Sequence, residues 1–122
     1  MDLVDSGEII PNATWEQAEA AIRSLDETEL TALTLERPDH SNVLVGGGNG
    51  RYILCITTVD ERLVALSDTA KADRESEELV AGGQPGQYPS HLVVDDLETV
   101  LQAARTYFET GSPDRSLSWV ED

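Results

Sequence analysis

The 122 residues have a mass of 13.3 kDa, the size of one ordinary domain, so a single core is expected to hold residues 1–122 together. Hydrophobic residues make up 39% of the chain and charged residues 26%, which excludes a chain kept disordered by its charge. The 24 acidic residues against 8 Lys and Arg give a formal net charge of -16 at pH 7. Because phosphate backbones and anionic lipid head groups are bound through Lys and Arg, we expect no direct binding to nucleic acid or to a membrane surface.

The cysteine content and the apolar runs indicate the cellular compartment. The only cysteine, Cys55, lies in the apolar run from Tyr52 to Ile56 and has no partner in the chain for a disulfide, which fits a reducing compartment. The N-terminus lacks the cationic start and apolar stretch of a signal peptide, and the longest apolar run is far short of the roughly 20 residues that span a bilayer. We therefore expect a cytoplasmic protein with Cys55 packed in its core.

The first predicted elements are a helix and four strands. Apolar residues recur at helical spacing from about Thr14 to Leu25, and Thr14 with Gln17 has the spacing of a capping box. Four extended segments follow, at 30–36, 42–46, 51–59 and 62–67. Their connections are too short for parallel crossovers, so we expect these strands to pair antiparallel.

The strand predicted at 51–59 has apolar side chains on both faces, which is typical of a central strand covered on both sides. The glycine-rich stretch before it, 46–50, resembles a phosphate-binding loop only in composition, because such loops open a helix and here a strand follows. Asn49-Gly50 instead predicts the tight turn of a β-hairpin.

The next part of the chain is polar. From Asp68 to Glu78 the sequence is dense in charge and predicts a loop. Two short strands are expected at Glu78 to Ala81 and at His91 to Val94. The prolines and glycines between them, at 82–89, predict a broad, exposed connection, since they interrupt a strand ladder.

The C-terminal part predicts a second helix and a docked tail. Five apolar residues share one helical face: Leu97, Val100, Leu101, Ala104 and Phe108. Asp95 is expected to cap this helix, and Gly111 and Pro113 to end it. The alternation at 116–120 predicts that Leu117 and Trp119 dock on the body. Together these elements predict an α+β domain, a single antiparallel sheet with two helices packed on it.

No catalytic, metal or cofactor site is predicted. His40 and His91 are far apart and have no further ligands at zinc spacing. The acidic residues between Asp68 and Glu78 resemble a calcium loop only in composition, since the alternating ligands and the mid-loop glycine are missing. The sequence has no nucleophile elbow of the Gly-x-Ser-x-Gly type. We therefore expect a binding protein without enzymatic activity.

Several short motifs occur in a fixed order. They are Leu-Val-Gly-Gly-Gly at 44–48, Gly-Gly-Gln-Pro-Gly-Gln-Tyr-Pro at 82–89, Ala-Ala-Arg-Thr-Tyr-Phe at 103–108, Gly111, and Leu-Ser-Trp at 117–119. In this order and spacing the chain resembles the first-numbered family of immunity proteins of bacterial polymorphic toxin systems, over about Leu30 to Trp119. The resemblance implies a non-enzymatic inhibitor that binds a cognate toxin domain tightly and protects the producing cell. We further expect a monomer when free and a one-to-one complex with the toxin domain, on the scale of tight enzyme–inhibitor pairs.

The resemblance also implies a class of toxin. Several relatives guard against zinc-dependent nucleic-acid deaminases, so a cytosine deaminase is the leading expectation. Such an enzyme draws its base into a pocket along a groove suited to phosphates, and an acidic inhibitor complements that groove. A nuclease toxin would present the same kind of surface. The charge by itself also fits solubility or a regulatory module for another basic protein. The glycine-rich loops leave a small-molecule enzyme or a ligand-binding domain as a further alternative.

The toxin-binding face is predicted from charge and exposure, because no family motif marks it. The candidate contacts are Asp73, Glu75, Glu77, Glu78, Gln87, Tyr88 and His91, with Tyr88 as the aromatic contact among the acids. The residues that match the family motifs are expected to shape the fold: Gly46, Gly47, Gly48, Gly82, Gly83 and Trp119. For Trp119 both a docking anchor and an interface hot spot stay open, because Trp is enriched in both.

Overall fold

The structure, a computed structural model, describes residues 1–5, 8–69, 71, 76–81 and 83–121. In this part of the chain a seven-stranded antiparallel sheet, a separate two-stranded hairpin and two α-helices form an α+β fold, which confirms the predicted fold class. The hairpin is an addition that the sequence did not predict as a separate layer. The accessible surface of 6682 Å² agrees with the roughly 6,500 Å² expected for a folded chain of this mass.

The strands of the large sheet come from both ends of the chain. They are β1 (Asp2–Asp5), β2 (Glu8–Ile10), β3 (Ala32–Glu36), β4 (Asn42–Gly48), β5 (Arg51–Thr57), β6 (Leu63–Ser67) and β9 (Ser118–Glu121), in the order β2-β1-β3-β4-β5-β6-β9. The hairpin consists of β7 (Ser76–Ala81) and β8 (Gln84–Pro89). Strands β1 and β2 were not predicted, because each has only two apolar residues; β1 becomes a strand by pairing along the edge of β3, and β2 by pairing with β1.

Both helices begin at side-chain caps. Helix α1 (Trp15–Arg23) has the predicted capping box: Gln17 N donates to Thr14 Oγ at 3.2 Å, and Thr14 N donates to Gln17 Oε1 at 2.9 Å. Helix α2 (Leu97–Thr110) is capped by Asp96, whose carboxylate accepts from Glu98 N, so the prediction of Asp95 as cap was wrong by one residue. Gly111 ends α2 as predicted, with a φ of 78°.

The main core lies between one face of the large sheet and the two helices. The inward face of the sheet contributes every second residue of its strands, and the helices contribute their apolar stripes. Buried members of this core include Leu3, Leu33, Leu35, Val43, Val45, Leu54, Ile56, Leu66, Ile22, Val100, Leu101 and Tyr107. Leu117 and Trp119 pack against it and are partly buried, which confirms the predicted docking of the tail. None of the described helices combines the length and hydrophobicity needed to cross a membrane.

The β4–β5 hairpin has the predicted tight turn. Gly48 pairs with Arg51, so Asn49 and Gly50 form a two-residue turn, with φ angles of 55° and 85°. Strand β5 has a neighbour on each side, as expected for a central strand. Its residue Cys55, however, was wrongly expected in the core: it is half-buried on the face opposite the helices.

The polar segment before α2 differs from the prediction. Residues 76–77, predicted as loop, begin β7 ahead of the strand predicted from Glu78, and the predicted connection contains β8, in which Pro85 and Pro89 take part. Both prolines are tolerated because each strand of a two-stranded hairpin has a free edge. The strand predicted at His91 to Val94 is instead a 3-10 turn, Ser90–Leu92, followed by a single bridge between Val94 and Tyr52. The chain crosses there between two cores, because Val93 packs under the hairpin and Val94 in the main core.

Candidate functional site

The hairpin β7–β8 covers part of the sheet face that points away from the helices. Ile53 of β5, Leu79 of β7 and Val93 form a second small core beneath it. The hairpin approaches the sheet closely at Gly46, where an added Cβ would lie 2.8 Å from the Cβ of Ala81. Glycine at 46 therefore allows this layer to form.

A partly buried ion-pair cluster attaches the hairpin to the body. Lys71 Nζ lies 2.8 Å from Glu77 Oε2 and 3.0 Å from Asp95 Oδ1. Ser90 Oγ donates to Glu77 at 2.7 Å, and the Arg51 guanidinium lies 3.7 Å from its carboxylate. The hydrogen bonds from Lys71 and Ser90 hold the pKa of Glu77 below its ordinary value.

The partners of Lys71 also determine its charge state. Burial alone would lower the pKa of Lys71, but its hydrogen bonds to Glu77 and Asp95 outweigh burial and raise that pKa. Lys71 Nζ further donates to the backbone oxygen of Val93 at 2.9 Å. Lys71 is therefore a cation held inside the cluster.

Two further contacts fix the hairpin from its other side. The backbone N of Val80 donates to Glu27 Oε2 at 2.8 Å, and the backbone N of Gly83 donates to Thr31 Oγ1 at 2.7 Å. Glu27 lies 4.0 Å from the guanidinium of Arg51. The segment between α1 and β3 thus holds the hairpin at two points.

The predicted contact residues are divided between the two faces of the hairpin. Glu78 and Gln87 are paired in register, both are exposed, and Gln87 Nε2 donates to Glu78 Oε2 at 3.3 Å. Glu77 and Tyr88, the next pair, face the body, where Tyr88 packs against the second small core. Of these two cross-strand pairs, the pair of Glu78 and Gln87 is therefore the one that is open to a partner.

The remaining predicted contacts are differently placed. His91 is half-buried, and its Nδ1 is enclosed without a hydrogen-bond partner among the described residues. Asp73, Glu75 and the motif residue Gly82 lie outside the described residues.

The described motif residues lie where the backbone approaches other parts of the fold. Gly48 has a φ of 141°, and a Cβ there would lie 2.6 Å from the backbone N of Asp26. Gly47 also has a positive φ, and its N donates to the Thr31 oxygen at 3.0 Å. Trp119 Nε1 donates to the Asp114 oxygen at 2.8 Å, and the ring is half-buried.

Beside the hairpin, the same face of the large sheet is open, a feature that was not predicted from the sequence. Leu44 of β4 lies directly opposite Cys55 of β5, and Cys55 lies opposite Ala65 of β6. All three alternate with inward-facing core residues. The signal was present in the sequence, since the strands have apolar or small residues at outward positions as well as inward ones.

The described residues hold no group of three or more His, Cys, Asp or Glu placed to bind a metal ion. A surface depression of about 510 Å³ lies between the β5–β6 turn and the end of α2, where Arg62 and Arg115 belong to its lining. Its other lining residues are Thr58, Val59, Asp60, Gly111, Ser112 and Pro113. This set contains no paired nucleophile and base of the kind that acyl transfer needs.

Comparison with known proteins identifies the family that the motifs indicated. A family model described as immunity protein Imm1 matches residues 6–121, nearly the whole chain. No curated protein matches the chain.

Proposed function

The chain belongs to the Imm1 family of immunity proteins, which act against toxins, and on this premise we propose that it neutralises its cognate toxin domain by binding it one-to-one, without catalysis, in the cytoplasm of the producing cell. The observation that carries the proposal is the family match over residues 6–121. The net charge of -16 on a folded body supports it, because opposite charge accelerates the encounter with a basic partner.

We propose that the toxin acts on nucleic acid, most specifically as a cytosine deaminase. An enzyme that draws a base into its pocket needs a surface that accepts phosphates, and such a surface is basic. In this chain Arg23, Arg51 and Lys71 are engaged by its own carboxylates, while 24 acidic residues are present against 8 basic ones. The surplus of negative charge is therefore available to the substrate groove of the toxin, which the bound chain would occlude.

The charged contact is proposed at the outer face of the hairpin, which carries Glu78 and Gln87. Glu78 and Gln87 are exposed there and point away from the ion-pair cluster. Tyr88, which packs against the second small core, and the half-buried His91 belong to the same proposed set. Asp73 and Glu75, outside the described residues, complete the proposed set of contacts with Glu77, whose carboxylate already serves Lys71.

Co-expression with the toxin domain encoded beside the gene tests the proposal. We expect the host to survive only when the folded chain is present. The matched control is Val45→Asp, which places a charge at a fully buried position and keeps the acidic composition while destroying the fold. Loss of protection in the control would separate a folded inhibitor from unspecific acidity, and death of the host with the wild-type chain would contradict the function.

Purified proteins then identify the chemistry. A single-stranded DNA containing cytosine should be converted to the uracil product by the toxin domain alone, and conversion should stop at one equivalent of the chain. Cleavage of the DNA in place of deamination would support the alternative, a nuclease toxin, which the same acidic surface favours. Light scattering should give the mass of a one-to-one complex, with about 1,600 Å² buried in total, the usual scale for enzyme–inhibitor pairs.

A further inference from the structure

The open sheet face, on the side opposite the helices, presents one continuous row of apolar and small side chains. Cross-strand partners in register join the row from one edge of the sheet to the other. In order across the strands β2-β1-β3-β4-β5-β6-β9 its members are Ile9, Val4, Thr34, Leu44, Cys55, Ala65 and Val120. With strands about 4.8 Å apart, a row that crosses seven strands is roughly 29 Å long.

The row contains most of the large hydrophobic side chains that the described residues leave exposed. The large hydrophobic side chains that the described residues leave most exposed are Ile9 at 64%, Leu44 at 36%, Val59 at 65%, Leu63 at 38% and Val120 at 39%. Three of them belong to the row, and Leu63 points to the same face two residues before Ala65. Scattered exposed apolar residues need no explanation, but a contiguous patch marks an interaction site.

Acidic side chains lie beside the row on two of its sides. Asp2 and Glu36 pair with each other on the same face, two residues along their strands from Val4 and Thr34. On the other side of the row, the hairpin with its exposed Glu78 covers Gly46 and Ile53, which lie two residues from Leu44 and Cys55. The one basic side chain of this face in β5, Arg51, is engaged by Glu27 and Glu77.

We infer that the open sheet face is the docking surface for the toxin domain, which meets the row with an apolar patch framed by Lys and Arg. The inference rests on the proposed function and adds to it the main contact surface. An apolar centre with a polar rim is the usual anatomy of a protein–protein interface, and a row of roughly 29 Å matches the width of a patch of about 800 Å² per partner. In this arrangement the outer face of the hairpin, with Glu78, forms the acidic border of the docking surface.

Charge distinguishes the toxin from the other occupants of such a face. A second copy of the chain would bring two molecules of net charge -16 together, which opposes association. Anionic lipid head groups and nucleic acid are repelled in the same way. A protein with basic groups around an apolar centre is attracted by the rim and buries the row.

Two substitutions to arginine in the row test the inference. Ala65→Arg and Thr34→Arg each place a long charged side chain at an outward position, so the main core beneath the sheet is left intact. The matched control is Ala20→Arg on the exposed side of α1, which makes the same change of charge on the opposite side of the molecule. Affinity for the toxin domain is measured by surface plasmon resonance, and folding by thermal melts.

We expect each row variant to bind the toxin domain at least about 30-fold more weakly than the wild type, the loss typical of an interface hot spot, while Ala20→Arg stays within about threefold. Wild-type affinity in both folded row variants would overturn the docking surface and leave the toxin-neutralising function standing. Failure of the wild type itself to bind would overturn the function and the docking surface together. A free chain that light scattering shows to be a dimer, and that Ala65→Arg converts to a monomer, would assign the face to a second copy and overturn the inference.

Discussion

Tyr107 and Ser41 are joined by a buried hydrogen bond, with the phenol oxygen 2.7 Å from Ser41 Oγ. Ser41 Oγ itself donates to Asp39 Oδ1 at 2.6 Å, so the Tyr107 hydroxyl is the donor to Ser41. The Arg37 guanidinium lies 6.0 Å from the centre of the Tyr107 ring and donates to the Phe108 oxygen at 3.1 Å. The connection between β3 and β4 is thereby attached to the last turns of α2.

The hydrogen bonds from Tyr107 to Ser41 and from Ser41 to Asp39 predict unequal losses of stability when Tyr107 or Ser41 is substituted. Tyr107→Phe removes one hydrogen bond but leaves Ser41 paired with Asp39, so the free energy of unfolding should fall by about 1 kcal/mol. Ser41→Ala leaves the Tyr107 hydroxyl buried without its acceptor, which should cost more, about 1–3 kcal/mol. Urea unfolding of both variants measures the difference. A larger loss in Tyr107→Phe than in Ser41→Ala would contradict the assigned direction of the hydrogen bond.

Tyr107 shows what the helical periodicity of apolar residues predicts and what it misses. The apolar spacing correctly predicted α2 and the burial of Leu101. It placed Phe108 on the buried face, whereas Tyr107 is fully buried and Phe108 is partly buried against Trp15, with their ring centres 5.8 Å apart. A tyrosine hydroxyl can be buried here only because Ser41, 66 residues away in sequence, accepts its hydrogen bond. Local spacing contains no information about such a partner.

Tertiary context also explains the other differences. Strand β8 contains two prolines and a glycine and has no strand signature of its own, so it is a strand only because β7 pairs with it along its whole length. The acidic sequence from Asp68 to Glu78 suggested one solvated surface. Pairing in the hairpin instead turns Glu77 toward Lys71 and leaves Glu78 exposed to solvent. Alternation within one strand gives the two faces, and only the assembled layers determine which face stays open.

Glu77 and Glu78 are adjacent carboxylates for which we predict different roles. Glu77→Gln should lower the free energy of unfolding by about 1–3 kcal/mol, because it weakens hydrogen bonds to a partly buried cation and to Ser90. Glu78→Gln should leave stability unchanged and instead reduce the on-rate for the toxin domain at low salt, with the difference from wild type shrinking as ionic strength rises. Chemical unfolding and surface plasmon resonance measure the two effects.

An exchange of these two outcomes would show that the hairpin faces the toxin with its other side. Equal on-rates and equal salt dependence for Glu78→Gln and wild type would show that the outer face of the hairpin is a solvated surface without a role in the encounter with the toxin domain.

The stability that the Asp114 carboxylate contributes is expected to depend on pH. Its carboxylate accepts from Ser116 Oγ at 2.7 Å, from Gln102 Nε2 at 3.0 Å and from Thr106 Oγ1 at 3.0 Å, and these hydrogen bonds hold its pKa well below the ordinary 3.8. A carboxylate with a lowered pKa stabilises the folded state fully above the pKa of the unfolded chain, and this contribution is lost as the pH falls below that value. Asp114→Asn should therefore melt at a lower temperature than wild type at pH 7.

The gap between the melting temperatures of Asp114→Asn and wild type should narrow as the pH is lowered below about 3.8, because the wild type then loses the contribution of its carboxylate. Thermal melts by circular dichroism between pH 7 and pH 2.5 provide the comparison. A gap that stays constant over this range would show that the hydrogen bonds, and not the charge of Asp114, stabilise the connection between α2 and β9.

The last prediction uses Cys55 as a reporter of the open sheet face. Cys55 is the only cysteine of the chain and is half-buried in the middle of the row, between Leu44 and Ala65. If the toxin domain docks there, a small thiol reagent should label Cys55 in the free chain and much more slowly in the complex. With free toxin at 100 times Kd only about 1% of the chain is unbound, so labelling should slow by up to about 100-fold.

Mass spectrometry of the intact chain measures this labelling separately from any cysteines of the toxin. The matched control combines Cys55→Ser with Ala20→Cys, which moves the thiol to the exposed side of α1, where labelling should be the same in the free chain and in the complex. A second reporter, Leu44→Cys on Cys55→Ser, presents a more exposed thiol at the neighbouring position of the row, where the native side chain is 36% exposed. Protection of both row thiols with none at Ala20→Cys is the expected pattern, because a partner on one face of the sheet does not cover the helices on the other. If each of the three thiols is labelled at the same rate in the free chain and in a complex confirmed by light scattering, the toxin binds elsewhere on the molecule.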